Sequence, residues 1–130
     1  MADEAHLAVL KQGADAWNTW RAAHSGTPAD LANASLRGLD LAKADLAGAD
    51  CRKADLRGTI LSGATLTNAN LAGANFFKSV LDAADLAGAN LIGARFLNCA
   101  QLKSTRNWQS AFRAPDLACD APIPAIADPS

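Results

Sequence analysis

Large aromatic side chains are scarce in this chain of 130 residues, which contains no tyrosine, three tryptophans and four phenylalanines. A globular core built on large rings is therefore not expected. No stretch approaches the roughly 20 apolar residues of a membrane span, and the amino terminus has no apolar run of signal length. The sequence predicts one compact domain with a cytoplasmic address and no membrane association.

An excess of one charge is also missing. The 12 basic and 13 acidic residues leave a formal net charge of −1, and each region of the chain carries both signs. Counted along the chain, no region is basic enough to hold nucleic acid through its phosphates, and none is strongly acidic. We therefore expect no direct contact with nucleic acid.

Catalytic and metal-binding motifs are lacking as well. The chain has no phosphate-binding glycine loop, no nucleophile elbow and no H-E-x-x-H. Its only histidines, His6 and His24, both precede residue 28. The cysteines Cys51, Cys99 and Cys119 form no C-x-x-C pair and fit a reducing compartment. We expect no catalytic residue, cofactor, metal or small-molecule substrate; an enzyme site between repeats and tail is the weakest alternative.

What the sequence does contain is an uninterrupted five-residue repeat. The third place is Leu in eleven units, Phe in two and Cys in one; the first place is Ala in eleven, and the last is Gly in seven and Asn in three. The 14 units, residues 29–98, read ADLAN ASLRG LDLAK ADLAG ADCRK ADLRG TILSG ATLTN ANLAG ANFFK SVLDA ADLAG ANLIG ARFLN.

A period of five matches neither the 3.6 of a helix nor the 2.0 of a strand, so each unit must turn the chain. Four units would form one lap of a square coil, with the third side chain inside and the fifth residue in a turn that tolerates positive φ. Residues four units apart would then stack at roughly 4.8 Å. The predicted inward columns are Leu31/Cys51/Leu71/Leu91, Leu36/Leu56/Phe76/Phe96, Leu41/Leu61/Leu81 and Leu46/Leu66/Leu86.

Two groups of polar residues have structural interpretations. Cys51 replaces a core leucine, so we expect it to be buried and unreactive. The exceptions to Ala in the first place, Leu39, Thr59 and Ser79, share one corner, which favours the grouping of four units to a lap. Short acidic side chains in the second place are expected to bond nearby backbone rather than a metal or a substrate; they include Asp40, Asp45, Asp50, Asp55 and Asp85.

The repeat resembles the pentapeptide-repeat protein family, whose consensus is A-(D/N)-L-x-x. The residues before it, His6, Leu10, Trp17, Asn18, Trp20 and Arg21, are similar to the helix that precedes the repeats in many bacterial members. Residues 107–113 and 116–119 are similar to the tail of such repeats. The resemblance implies an all-β solenoid, a right-handed quadrilateral parallel β-helix with a fully packed interior.

An open solenoid needs a cap at each end. We expect an N-terminal capping helix in residues 1–27, the β-helix in 28–102, and a C-terminal capping helix with an extended tail in 103–130. The first helix is predicted over residues 3–23, with Leu10 and Trp17 over the first coil. A ligand cage formed by Trp17 and Trp20 is the alternative.

The C-terminal end is predicted in three steps. Residues 99–102 look like a repeat displaced by one residue. A short helix then runs from about Ser104, its N-cap, to Phe112. Trp108 and Phe112 are expected to seal the last coil.

The outward positions carry one apolar strip, and exposed apolar strips usually mark contact. The strip consists of Ile60, Phe77, Val80 and Leu97. One interpretation is a surface for a protein partner or for self-association. The other is that the tail folds back over it, through Leu117, Ile123 and Ile126.

These features predict a non-catalytic protein-interaction or scaffold module built on a rigid rod. The resemblance offers an alternative, because some family members protect DNA gyrase from quinolones by presenting a rod that resembles duplex DNA. This chain departs from those members in its near-zero charge, its short length and its mainly leucine centres.

Overall fold

The computed structural model describes residues 2–119, and the five-residue units in it form a four-sided coil. Each corner is a tight turn in which the first residue of a unit donates its N–H to the third carbonyl of the previous unit, as from Ala44 to Leu41 at 3.0 Å. The fifth residue has a positive φ in all units from Asn33 to Gly93, as in a type II turn. Lys and Ala adopt this conformation at several corners, so the coil imposes it even without glycine.

Successive laps are joined by parallel backbone bridges. Ten of them, from Asp30–Asp50 to Asn75–Arg95, pair equivalent residues four units apart, which confirms the predicted lap. Each bridge is one residue long, and residues 2–119 contain no extended strand. The sides of the coil are therefore joined by isolated bridges rather than by strands, because the turns occupy two of every five residues.

The interior is filled as the columns predict, with one exception. The inward Leu side chains, Cys51 and Phe76 are at most 2% exposed, whereas Phe96 lies outside. At the corner where Leu39, Thr59 and Ser79 replace Ala, the Thr59 hydroxyl donates to the Leu36 carbonyl at 2.7 Å. Second-place carboxylates accept the N–H two residues ahead, as Asp45 does from Ala47 at 3.1 Å, so the backbone-bonding interpretation is confirmed.

The N-terminal cap consists of two helices, α1 (Glu4–Leu10) and α2 (Ala14–Ala23), rather than one helix over residues 3–23. The chain breaks at Gly13, whose φ is 108°, a conformation outside the helical region. Leu10 and Trp17 are fully buried in the same cluster as the coil core, as expected.

The C-terminal cap begins earlier than predicted. Helix α3 (Cys99–Lys103) is N-capped by Asn98, whose side chain accepts the Gln101 N–H while the Asn98 N–H donates to the Gln101 side chain. The helix predicted from Ser104 to Phe112 is therefore wrong: Ser104 is the C-cap of α3, and the displaced repeat expected at residues 99–102 is this helix.

After α3 the chain rejoins the coil. Arg106 bridges Asp85 and Phe112 bridges Asn90, so the sequence offset exceeds the regular lap by one at the first bridge and by two at the second. One residue is therefore inserted between Arg95 and Arg106, and a second between Arg106 and Phe112. Short 3₁₀ helices lie at Trp108–Ser110 and Pro115–Leu117. Trp108 is buried as expected, but Phe112 is 62% exposed and does not seal the core.

Helices between residues 2 and 119 are all too short or too polar to cross a membrane.

Candidate protein-interaction face

One side of the coil collects cations and exposed rings in adjacent laps. This side consists of one unit from each of four laps, namely residues 34–38, 54–58, 74–78 and 94–98. The bridges Ser35–Asp55, Asp55–Asn75 and Asn75–Arg95 hold these units in register. The stacking places outward fourth-place residues above one another, namely Arg37, Arg57 and Phe77.

The last lap of this side departs from the repeat. Phe96, a third-place residue, has a φ of 56°, whereas in the earlier units it is the fifth residue that has a positive φ. Its ring consequently lies outside, 60% exposed, while Leu97 turns into the core at 8%. The predictions that Phe96 is inward and Leu97 outward are both wrong. The physical reason is that Asn98 must leave the coil as the N-cap of α3.

The predicted apolar strip is therefore composed differently. Phe77 and Val80 are 46% and 40% exposed, and Ile60 is half-buried. Phe96 takes the place expected for Leu97, with its ring centre 5.7 Å from that of Phe77 in an edge-to-face arrangement. In the predicted tail, Leu117 is buried, and Ile123 and Ile126 lie outside the described residues.

Five cations surround the two rings. Three clefts meet here: one of about 460 Å³ beside Lys53, Arg57 and Arg95, one of about 360 Å³ between the rings, and one of about 280 Å³ beside Arg37 and Lys78. Arg57 lines all three. We call this surface the basic–aromatic face; it comprises Arg37, Lys53, Arg57, Phe77, Lys78, Arg95 and Phe96.

Between residues 2 and 119, the single carboxylate that lines these clefts is Asp55, which is held by Arg57. The guanidinium Nε and Nη2 donate to its two oxygens at 2.8 and 2.7 Å. This hydrogen bonding holds the pKa of Asp55 below its ordinary value. On the neighbouring side, Arg52 bonds Asp50 in the same way and likewise lowers the pKa of that carboxyl.

The Trp17–Trp20 cage has no space for a ligand. Trp17 is fully buried, and its Nε1 donates to the Asp45 carbonyl at 2.7 Å. Trp20 lies between His6 and His24, whose ring centres are 4.8 and 4.5 Å from its own. The aromatic residues that precede the repeats therefore belong to the N-terminal cap.

The free cysteine of the described residues lies in the core. Cys51 is buried, and desolvation raises the pKa of its thiol to about 12. No group of three His, Cys, Asp or Glu residues that could hold a metal occurs between residues 2 and 119.

Cys99 and Cys119 form a disulfide that ties the start of α3 to the end of the described chain. The interpretation of the three cysteines as a reduced set is therefore wrong for this pair. Disulfides persist mainly in oxidising environments.

Sequence reasoning missed the cations of the basic–aromatic face because charges were counted along the chain. Arg37 and Arg57 are one lap apart and share the fourth place, so the signal is present once charges are sorted by side of the coil. The exposure of Phe96 leaves no such signal, since it depends on how the last lap ends.

Comparison with known families finds one match, the model described as pentapeptide repeats, at residues 29–63 and 60–98. Comparison with curated proteins finds no match. Among solved structures, HetL, a pentapeptide repeat protein involved in heterocyst differentiation regulation from the cyanobacterium Nostoc sp. strain PCC 7120, is 34% identical, with a TM-score of 0.53. That match covers 62% of this chain and 35% of HetL.

Two further structures are similar over comparable lengths. Rfr23, a pentapeptide repeat protein from the cyanobacterium Cyanothece 51142, is 30% identical, covering 65% of this chain and 56% of its own, with a TM-score of 0.40. A pentapeptide repeat protein from the Arabidopsis thaliana thylakoid lumen is 28% identical, covering 60% and 59%, with a TM-score of 0.42.

Proposed function

Because the chain belongs to the pentapeptide-repeat family, whose fold is a right-handed quadrilateral β-helix, we propose that it is a non-catalytic protein-interaction or scaffold module. The proposal is carried by the exposed rings Phe77 and Phe96, with Val80 on the adjoining side of the coil. Exposed apolar clusters usually mark contact with another macromolecule.

The rigidity of the backbone supports this role. Every side of the coil is bonded to the lap above or below it, as Gly58 is to Phe77 and Phe76 is to Arg95. The exposed rings are therefore held in fixed positions before any partner arrives, which lowers the entropic cost of binding.

A regulatory task would fit such a module. HetL is involved in heterocyst differentiation regulation, and regulation of this kind is a proposal for the present chain, which spans 35% of HetL. The DNA-mimicking alternative fits less well. A mimic of duplex DNA presents rows of negative charge, whereas the described residues that line the clefts beside the exposed rings include five cations and one carboxylate.

Affinity capture tests the proposal. The full chain and its Phe77→Ser/Val80→Ser variant are immobilised and exposed to a lysate of the source organism, with Phe112→Ser as the control for loss of an exposed ring elsewhere. We expect the double variant to lose about tenfold or more of the bound partner, as for a buried aromatic anchor. Light scattering of the same variants measures self-association. Unchanged capture together with unchanged mass would contradict the proposal.

A further inference from the structure

The basic–aromatic face concentrates positive charge in a chain that is close to neutral. Of the residues that the structure describes, five basic residues and one acidic residue line its three clefts, in a chain with net charge −1. The nearby Asp50 is neutralised by Arg52. A ligand on this face therefore meets a net positive surface.

Three of these cations pair with no carboxylate among residues 2–119. The four ion pairs between residues 2 and 119 do not include Lys53, Lys78 or Arg95. Lys78 lies 5.4 Å from the Phe77 ring centre, and Arg95 lies 5.6 Å from that of Phe96. Both cations are thus beside an apolar surface, where an incoming anion would be less hydrated than in open water.

The clefts differ in what they would accept. The space of about 360 Å³ between Phe77 and Phe96 has aromatic walls and suits a large apolar side chain. The adjoining space of about 460 Å³ is lined by Lys53, Arg57 and Arg95 and by the one carboxylate of Asp55, which Arg57 holds, so its remaining cations suit carboxylates. Since Arg57 and Arg95 line both spaces, one short segment would occupy the two together.

We propose that the basic–aromatic face binds an acidic segment of a partner protein that carries a large apolar side chain. The apolar side chain lies between Phe77 and Phe96, and its acidic neighbours pair with Lys53 and Arg95. The inference rests on the proposed function and adds the chemistry of the partner to it.

A protein segment fits better than nucleic acid because the cations cover a short distance. They occupy four laps spaced roughly 4.8 Å apart, a height of roughly 15 Å. A protein that binds nucleic acid through its charge makes about six to ten phosphate contacts, and five cations, two of them paired with Asp55, fall short of that number.

Fluorescence anisotropy tests the inference with defined probes. The main probe is a short labelled peptide that alternates Glu with Leu and has a central Phe. The comparison probes are the same peptide with Lys for Glu, the same peptide with Ser for its apolar residues, and an oligothymidylate. We expect only the main peptide to bind well, and its affinity to fall as salt is raised.

Matched variants locate the binding. Lys53→Gln/Arg95→Gln removes two cations that make no ion pair in the described chain, and we expect about a tenfold loss of affinity. Phe77→Ser should cost about as much. Lys11→Gln/Lys103→Gln and Phe112→Ser remove the same groups elsewhere on the exposed surface and should leave affinity unchanged.

Several outcomes would overturn the inference. The first is that the main peptide fails to bind, binds all variants with equal affinity, or is displaced by oligothymidylate. The second is that the peptide binds only after residues 120–130 are removed, which would make the tail the occupant of the basic–aromatic face. The third is that the chain forms a dimer that Phe77→Ser dissociates, which would make a second copy of the chain the occupant of the face. If capture from lysate depends on Phe77 but no acidic peptide binds, the proposed function stands and this inference fails.

Discussion

At the scale of single residues, the coil controls chemistry by determining which side chains meet water. Cys51 occupies the third place of its unit, in the column of Leu31, Leu71 and Leu91, and is 1% exposed. Desolvation raises the pKa of its thiol to about 12, so almost no thiolate is present at neutral pH. Cys51 is therefore a core residue rather than a nucleophile.

This burial predicts that Cys51 resists alkylation. At pH 8 in the native protein, without reductant, iodoacetamide should modify Cys51 at least about a thousandfold more slowly than a free cysteine of ordinary pKa. In denaturant, mass spectrometry should find one modified thiol, since Cys99 and Cys119 are paired. Rapid modification of the native chain would show that the column is open.

Which side chains face inward could be predicted from the sequence for the regular units but not for the last one. The inward position of the third residue was predictable in the regular units because the period of five places every third residue on the same face of its side of the coil. In the last unit, Phe96 and Leu97 are adjacent and both apolar, and periodicity alone cannot choose between them. The choice follows from Asn98, which leaves the coil to cap α3.

At the scale of elements, side chains replace the laps that are missing at the two ends. Within the coil, the second residue of a unit donates its N–H to the lap below, as Asp50 does to Ala29. In the first lap, the Asp30 N–H is accepted by His6 Nδ1 at 3.0 Å and the Asp45 N–H by Asn18 Oδ1 at 2.7 Å. This explains why the leader carries those residues.

At the other end Gln101 performs the corresponding task. Its Nε2 donates to the Ser79 carbonyl at 3.1 Å, where a further lap would supply a backbone N–H as Val80 does to Thr59. The same amide group also donates to the Phe76 carbonyl at 3.0 Å. The caps thus satisfy backbone groups in addition to covering the core.

The account predicts that Asn18→Ala destabilises the protein by about 1–3 kcal/mol, because the part-buried Asp45 N–H loses its acceptor and the Lys43 carbonyl loses a donor. Urea denaturation followed by circular dichroism measures the change. The control is Thr19→Ala, an exposed neighbour in α2, which should alter stability by about 0.5 kcal/mol or less. Equal stability of the two variants would contradict the capping role.

The existence of both caps could be predicted from the sequence, but their form could not. An apolar periodicity over residues 3–23 does not reveal that Gly13 divides the helix, since isolated glycines are tolerated within helices. At the C-terminal end, Ser104 looked like an N-cap, whereas the capping box of Asn98 and Gln101 was the stronger signal.

At the scale of the whole molecule, the period of five determined the coil, its four-unit lap and the inward columns. The function-bearing surface was less accessible, because it is assembled from residues that are a lap or more apart and from one exception, Phe96. Charges that are balanced along the chain are sorted by side once the coil forms, and this sorting creates the basic–aromatic face.

The lap of four units is the claim on which that surface depends, and disulfide trapping tests it most directly. Thr67 and Ala87 stack in adjacent laps, since the Asn68 N–H donates to the Ala87 carbonyl at 2.8 Å. Thr67→Cys/Ala87→Cys should form a disulfide on mild oxidation, because stacked residues are roughly 4.8 Å apart. Thr67→Cys/Asp82→Cys, three units apart and on adjoining sides, should not. Equal cross-linking of the two pairs, or a preference for the second, would contradict the account.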